Sequence, residues 1–423
     1  RFDMAAKRFN RGVALVGAGM SNFGAFPGKT TRDLFVEAFK DMHASVDKGF
    51  DPNDIDECFF GNYSSSQFEG QGFTAPFIAN AVGMNPRPAI RCENACASGG
   101  SAIRLGITAI ASGIADMVLV GGYEKETDQP TEKVTEILAT ASDNLYENVA
   151  GFTFPGLYAA LATAYMDRYG ATGETMMKVA LQNHENGALN PKAQFGKRIG
   201  DFIKMKQKSA EKRGKPIPEW DDEMAFLRDP RANPVISWPM RLFDCSPVSD
   251  GAASLLLVAE DMAHNFTDKP LHIVGNGLAT GVAMHDRSDL TMIKPATLAG
   301  QAAYEMAGMS PQDIQVCEVH DCFTMTQVIA TEDLGFFERG EGWKALEEGR
   351  TARDGDRPIN SSGGLKSKGH PVGASGVGQV VEVWKQLRGD AGDRQLPGEP
   401  TIGMTHNLGG SGQVCAVNIF ERR

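Results

Sequence analysis

Two ten-residue segments of this chain, DPNDIDECFF (Asp51–Phe60) and SPQDIQVCEV (Ser310–Val319), share the pattern Pro-x-Asp-Ile-x-x-Cys. A second matched pair precedes them: VALVGAG (Val13–Gly19) and LHIVGNG (Leu271–Gly277) both read as a buried strand entering a glycine turn. The surrounding elements follow in the same order, which predicts two copies of one α/β unit. In the first copy, Thr31 to Val46 reads as a helix with Leu34, Phe35, Ala38, Phe39 and Met42 on one face. Further strands are expected at Glu57–Phe60 and Met117–Gly122, and helices near Thr74–Val82 and Ala97–Ser112. The last of these helices should carry Ile103, Ile107, Ile110 and Ile114 on one stripe. In the second copy a helix is expected at Leu298–Met306 and a strand at Ile314–Val319. Such alternation favours a largely parallel α/β sheet covered on both faces.

The region between the copies is different. Glu124–Met240 is richer in polar and charged residues and shows no clear strand alternation. It reads as an inserted helical and loop segment over one end of the sheet. The expected division is therefore 1–123, an insertion at 124–240, and 241–423. Within the insertion, Lys212–Pro239 is rich in Pro, Trp and charge, as a surface excursion or docking surface would be.

Bulk properties remove several function classes. A net charge of −11 argues against nucleic-acid binding, which needs a basic face. The seven cysteines form no C-x-x-C and no paired zinc spacing, so no metal site is expected and free thiols in a reducing cytoplasm are. No apolar run is long enough to span a membrane; the best stretch, Ile103 to Val120, is broken by Arg104 and Asp116. The opening residues RFDMAAKRFN hold no secretory stretch, and Met4 is a candidate initiator. The final ERR is not a peroxisomal tripeptide.

Four loops at strand ends carry candidate chemistry, three of them rich in glycine. RCENACASGG (Arg91–Gly100) places Cys96 just before a helix, where unpaired N–H groups favour thiolate, the nucleophilic form. SSGGLKSKGHPVGASGVGQ (Ser361–Gln379) sets His370 between glycine turns, where an imidazole can reach a thiol and hold it ionised. EVHDCF (Glu318–Phe323) puts His320 and Cys322 at a strand end, the usual place for α/β sites. THNLGGSG (Thr405–Gly412) bears His406, Asn407, Leu408, Gly409 and Gly410, whose N–H groups could line an oxyanion site. A plain turn between two strands is the competing reading of that last loop. Cys92 and Cys415 are read as structural.

These motifs resemble the thiolases along nearly the whole chain. Cys96 with SGG matches the nucleophile motif, and GHPVGASG matches the catalytic-histidine motif almost letter for letter. CSPVSDGAASL (Cys245–Leu255) resembles the segment before the second core domain, with Ser246 on a position that contacts the pantetheine of coenzyme A. The resemblance implies two similar βαβαβ halves in a five-layer α-β-α-β-α sandwich with an inserted loop domain. Two departures are informative. Many thiolases carry Asn-Glu-Ala-Phe where this chain has His320-Asp321-Cys322-Phe323, and a second catalytic Cys where it has His406. The HDCF form resembles the sterol-carrier-protein type of thiolase, in which the acid–base thiol is Cys322's counterpart.

The implied activity is cleavage of a 3-oxoacyl-CoA by coenzyme A, or the reverse condensation, through an acyl-enzyme on Cys96. Coenzyme A is then a co-substrate, with no permanently bound cofactor. The basic stretch Lys192–Lys215 is a candidate contact for its phosphates, with a solvated helix face as the alternative. A homodimer is the family default, and a small OB-fold and zinc-ribbon partner is known among relatives of this subtype. Three other readings stay open: a ketoacyl synthase using Cys96, His320 and His370; a thiolase-like retro-aldolase that needs no nucleophilic Cys; and a non-catalytic scaffold.

Overall fold

The computed structural model describes residues 9–423; the opening residues, with Met4, lie outside the described part. Eleven strands run in chain order as β1 (Val13–Met20), β2 (Glu57–Gly61), β3 (Ala89–Cys92), β4 (Met117–Glu124), β5 (Val235–Ser237), β6 (Met240–Arg241), β7 (Gly251–Ala259), β8 (Leu271–Thr280), β9 (Val316–Glu318), β10 (Ile402–Gly409) and β11 (Val414–Glu421). Nine of them form one sheet in the order β3-β2-β4-β7-β1-β8-β11-β10-β9, and β5 with β6 make a separate hairpin. The nine strands fall into two halves, because β1 and β8 meet only at Ala14↔His272 and Leu15↔Leu271.

The sheet is mixed, not largely parallel. Parallel pairing is confined to β2 with β3 and β4, and β9 with β10. β7 runs antiparallel to both β1 and β4, and β11 antiparallel to both β8 and β10. The reason is connectivity: β7 returns after the long insertion and β11 after a tight hairpin, so neither needs the helical crossover that parallel neighbours require. β7 thus completes the N-terminal half, although it follows residue 241, where the sequence division had placed the C-terminal half.

Strand periodicity sorts side chains into layers. On β1, Val13 and Leu15 enter one apolar cluster while Ala14 and Val16 enter another; on β7, Leu255 and Leu257 separate likewise from Leu256 and Val258. The outer cluster holds the helix Thr31–Ala44 through Leu34, Phe35 and Ala38. The middle cluster holds the helices Ser98–Ala111 and Ser375–Arg388 through Ile103, Ile107, Val377, Val380 and Trp384, together with Val316 and Phe420 of the second half. A further cluster packs the helices Lys294–Ala307 and Thr324–Asp333 on β10 and β11. Helix, sheet, helix pair, sheet and helix give five layers. The expected Ile114 falls beyond the end of its helix and is exposed. The repeated Pro-x-Asp-Ile segments take one shape, a 3-10 turn (Pro52–Asp54, Pro311–Asp313) leading into β2 or β9.

The central helix pair positions everything that follows. Its halves meet through backbone: a Cβ added at Gly376 would lie 2.8 Å from Gly100 N and inside the contact distance of Asn407 Oδ1. The turn before it is tighter still, since a Cβ at Gly373 would lie 2.6 Å from Tyr123 O, 2.7 Å from Asn62 Cα and 2.8 Å from Gly61 O. Gly373→Ala is therefore expected to destabilise the fold by about 1–3 kcal/mol. Gly173→Ala, whose Cβ meets nothing within 4 Å, should leave the denaturation midpoint nearly unchanged; urea titrations of the two variants check this.

Candidate active site

Cys96 and His370 come from opposite halves and meet at the ends of the two central helices. Cys96 precedes the helix Ser98–Ala111 by two residues, and His370 precedes the helix Ser375–Arg388 across the turn Pro371–Ala374. His320 and Cys322 lie just past β9, ahead of the helix Thr324–Asp333. The Cys96 sulfur and one ring nitrogen each of His320 and His370 lie within 4.8 Å of one another. The two imidazoles meet edge to face, centroids 5.0 Å apart. Cys96, Cys322, His370, Ser246 and Gly410 all line one cavity of about 160 Å³, with Glu126, Thr135, Leu138, Phe154, Val248 and Val372 as further walls.

The turn carrying His370 is held by two buried carboxyl groups that the sequence reading passed over. Glu124 accepts N–H bonds from Gly373, Tyr63 and Ser64 at 2.8–3.0 Å. Glu126 accepts from Val372 (2.9 Å) and Ser249 (3.2 Å). Burial pushes both acids up, Glu124 to about 7. His370 N–H donates to Ser249 Oγ at 2.8 Å, which ties the turn to the Ser246 wall.

Hydrogen bonds assign the two imidazoles opposite tautomers. Ser375 Oγ donates its one proton to Pro371 O (2.9 Å), so at 2.6 Å from His370 Nδ1 it must accept. Nδ1 then carries the proton and Nε2 is a free base. Asn407 Nδ2 lies 3.3 Å from His320 Nδ1 and donates to it, which leaves the proton of His320 on Nε2 as a donor.

Asn407 also donates to Cys96 O (2.9 Å) and accepts from Gly100 N (3.1 Å), so it braces the nucleophile loop and is not a wall of the cavity. The oxyanion expectation narrows accordingly. His406, Asn407, Leu408 and Gly409 belong to β10 and not to a loop. His406 is buried and its Nδ1 accepts from His320 N (3.2 Å), while Leu408 packs in the apolar core. Of the five, Gly410 alone lines the cavity, where its backbone favours the charged form of Cys96.

Charge differs from the sequence expectation as well. Burial pushes the Cys96 thiol well up, helped by nearby Cys322, Glu126 and Glu124, and only the Gly410 N–H opposes it. Burial also pushes His370 down to about 3 and Cys322 up to about 12. The empty site therefore holds a neutral thiol beside a neutral imidazole, not a standing thiolate, because desolvating an ion pair here costs more than the helix end returns. Cys92 and Cys415 lie outside the cavity lining.

Comparisons with known proteins identify the family. The family description "Thiolase, N-terminal domain" matches residues 13–261, and "Thiolase C-terminal domain-like" matches residues 277–422. An acetyl-CoA acetyltransferase of Methanothermobacter thermautotrophicus is 42% identical over 97% of this chain and 100% of its own length. Sterol carrier protein 2 of Bos taurus is 30% identical, covering 95% of this chain and 71% of its own. Among solved structures, an Ltp2–ChsH2(DUF35) aldolase matches with TM-score 0.77 at 24% identity, covering 97% of this chain and 98% of its own. Human mitochondrial 3-ketoacyl-CoA thiolase in complex with CoA matches with TM-score 0.70 at 20% identity, over 98% and 99%.

Two outcomes test the charge assignment. Because the folded Cys96 thiol titrates above its ordinary value, alkylation by iodoacetamide should be slow at neutral pH and rise steadily from about pH 6 to about pH 9; a plateau reached at acid pH would mean a standing ion pair. Ser375→Ala frees the tautomer of His370 and is expected to slow acylation of Cys96 roughly tenfold in stopped-flow measurements.

Proposed function

This chain belongs to the thiolase family and is a CoA-dependent acyltransferase, and we propose that Cys96 is its nucleophile, His370 the base that activates it, and Cys322 its second acid–base group. The carrying observation is one small cavity lined by both thiols and His370. As the 3-oxoacyl-CoA enters, His370 Nε2 takes the Cys96 proton and the sulfur attacks the 3-keto carbon. The Cα–Cβ bond breaks, its electron pair going to the α-carbon. The resulting enolate oxygen is held by the imidazolium of His370 and by His320 Nε2–H, and Cys322 delivers the proton to the α-carbon. Incoming coenzyme A returns a proton to Cys322 and attacks the acyl group on Cys96. The Gly410 N–H supports the acyl oxygen at this stage. Condensation is the reverse.

The pantetheine arm is assigned to the wall Cys245–Val248, whose Ser246 N–H donates to Cys322 O at 2.9 Å. For the phosphates, the helix Ile199–Lys212 is suitable: Lys204, Lys206 and Lys208 are exposed, and among the described residues none of the three forms an ion pair. That helix abuts the wall through Phe202 and Phe243, ring centroids 5.4 Å apart. The cavity's size, with Glu126 and Thr135 at its edge, favours a short acyl chain.

The outer edge of β3, with Ile90 exposed, suits antiparallel pairing with a second copy as a homodimer. A small OB-fold and zinc-ribbon subunit is assigned to the apolar rim of the insertion, where Val235, Ile236 and Trp238 stand exposed. The structure of Ltp2 with ChsH2(DUF35) supports a two-component assembly in this fold. Seven free cysteines support a reducing compartment, the cytoplasm; among the described residues no helix is long and apolar enough to cross a membrane.

Thiolysis of a panel of 3-oxoacyl-CoAs tests the proposal. Acetoacetyl-CoA should be the best substrate, and Cys96→Ala should lose at least about 10³-fold in kcat. Undiminished turnover by Cys96→Ala would favour the aldolase reading instead. Cys322→Ser should lose roughly 10²–10⁴-fold while still accepting an acyl group on Cys96.

A further inference from the structure

Tyr158 is a buried phenol that the scheme above does not use. It lies on the helix Phe154–Tyr169 of the insertion, one turn after Phe154 and Pro155, which wall the cavity. Its ring stacks on Phe323 with centroids 4.6 Å apart, and so stands beside the neighbouring Cys322. Its hydroxyl donates to Gly410 O at 2.9 Å and stands near enough to the Cys322 thiol to favour its charged form. A phenol has one proton. With that proton on Gly410 O, none is directed at the Cys322 sulfur. The same Gly410 lines the cavity beside Cys96. One side chain therefore connects the acid–base thiol to a residue beside the nucleophile.

We propose that Tyr158 is a positioning residue for the Cys322 thiol, its hydroxyl turning from the Gly410 carbonyl to the Cys322 sulfur when that thiol gives up its proton. A sulfur anion formed in this setting needs donors. Thr326 Oγ1 spends its proton on Phe323 O, which leaves the Phe323 N–H and the phenol as donors within reach. The other ionisable groups facing the pair do not supply one. Asp321, next in the chain, is fixed by the N–H groups of Leu365 and Lys366 and opposes a second anion. Cys96 lies across the cavity, and Arg287, whose Nη2 donates to Ser411 O at 2.8 Å while its Nη1 has no partner among the described residues, stands on the phenol's side of the pair. Rotation of one O–H bond supplies a donor when charge appears.

The inference rests on Cys322 as the acid–base thiol, so its test separates the two. The readout is exchange of the α-protons of acetyl-CoA in D₂O, followed by NMR across pH, a reaction that needs the Cys322 thiolate. Tyr158→Phe keeps the ring and its stacking on Phe323. It should slow exchange roughly 10–100-fold, the loss of one hydrogen bond to a charged group. It should also move the rising limb of the pH profile up by about one unit, because the thiolate loses a donor. Alkylation of Cys96 by iodoacetamide should stay within about twofold of wild type. In the Cys322→Ser background the Phe substitution should cost nothing further. Replacement of Tyr158 by 3-fluorotyrosine, a more acidic donor of the same shape, should move the limb down and covers the case in which the Phe variant folds poorly. An unshifted limb in both variants, or an equal loss at every pH with Cys96 alkylation lost in parallel, overturns the role of Tyr158. Full exchange by Cys322→Ser would instead overturn the assignment of Cys322.

Discussion

At the centre of the molecule two helices from different halves touch backbone to backbone, and the chemistry depends on that contact. Gly100 and Gly376 let them close to a distance no side chain permits, and Gly373 lets the turn before the second helix press against the ends of β2 and β4. The nucleophile sits at the start of one helix and the base just ahead of the other. Neither half has a site alone. Burying the paired helices between the two halves of the sheet fixes their relation, because Ile103, Ile107, Val380 and Trp384 are packed in one apolar cluster and cannot shift independently.

Dryness follows from the same packing. A cavity closed by both halves strips water from Cys96, His320 and His370, and each is then driven toward its neutral form. Neutral groups are useful only if their protons are in the right places. Ser375 and Asn407 settle that, one making His370 an acceptor at the cavity and the other making His320 a donor. Charge is created with the substrate present and meets donors already in place, which is where electrostatic preorganisation has most effect. The carboxyl groups of Glu124 and Glu126 serve a mechanical end here, gripping the backbone N–H groups of the His370 turn.

Much of this was legible in the sequence, for identifiable reasons. Glycine-rich loops announce close backbone approach, so Cys96 and His370 stood out, His320 and Cys322 stood out at a strand end, and the repeated Pro-x-Asp-Ile segments gave away the duplication. Strand direction was not legible: β1, β4 and β7 are buried along their whole length, which reads the same for parallel and antiparallel neighbours, and β7 pairs across more than a hundred intervening residues. Glycines near His406 suggested a loop of free N–H groups, but β10 continues through Gly409 and spends them on its ladder with β11. The charge state of Cys96 was misjudged because the helix end is a local feature and burial a global one. Ser375 and Tyr158 carried no signal, since a serine after a glycine turn and a tyrosine on an apolar helix face are both ordinary.

The central claim is that Cys96 takes the acyl group and that His370, from the other half, enables it. Acid quench of the enzyme within milliseconds of mixing with acetoacetyl-CoA, followed by peptide mass mapping, tests this most directly. The account predicts an acetyl group on the peptide containing Cys96 in the wild type and almost none at the same time in His370→Asn. Acetylation on Cys322 or Cys245, or equal labelling of Cys96 in His370→Asn, would contradict it.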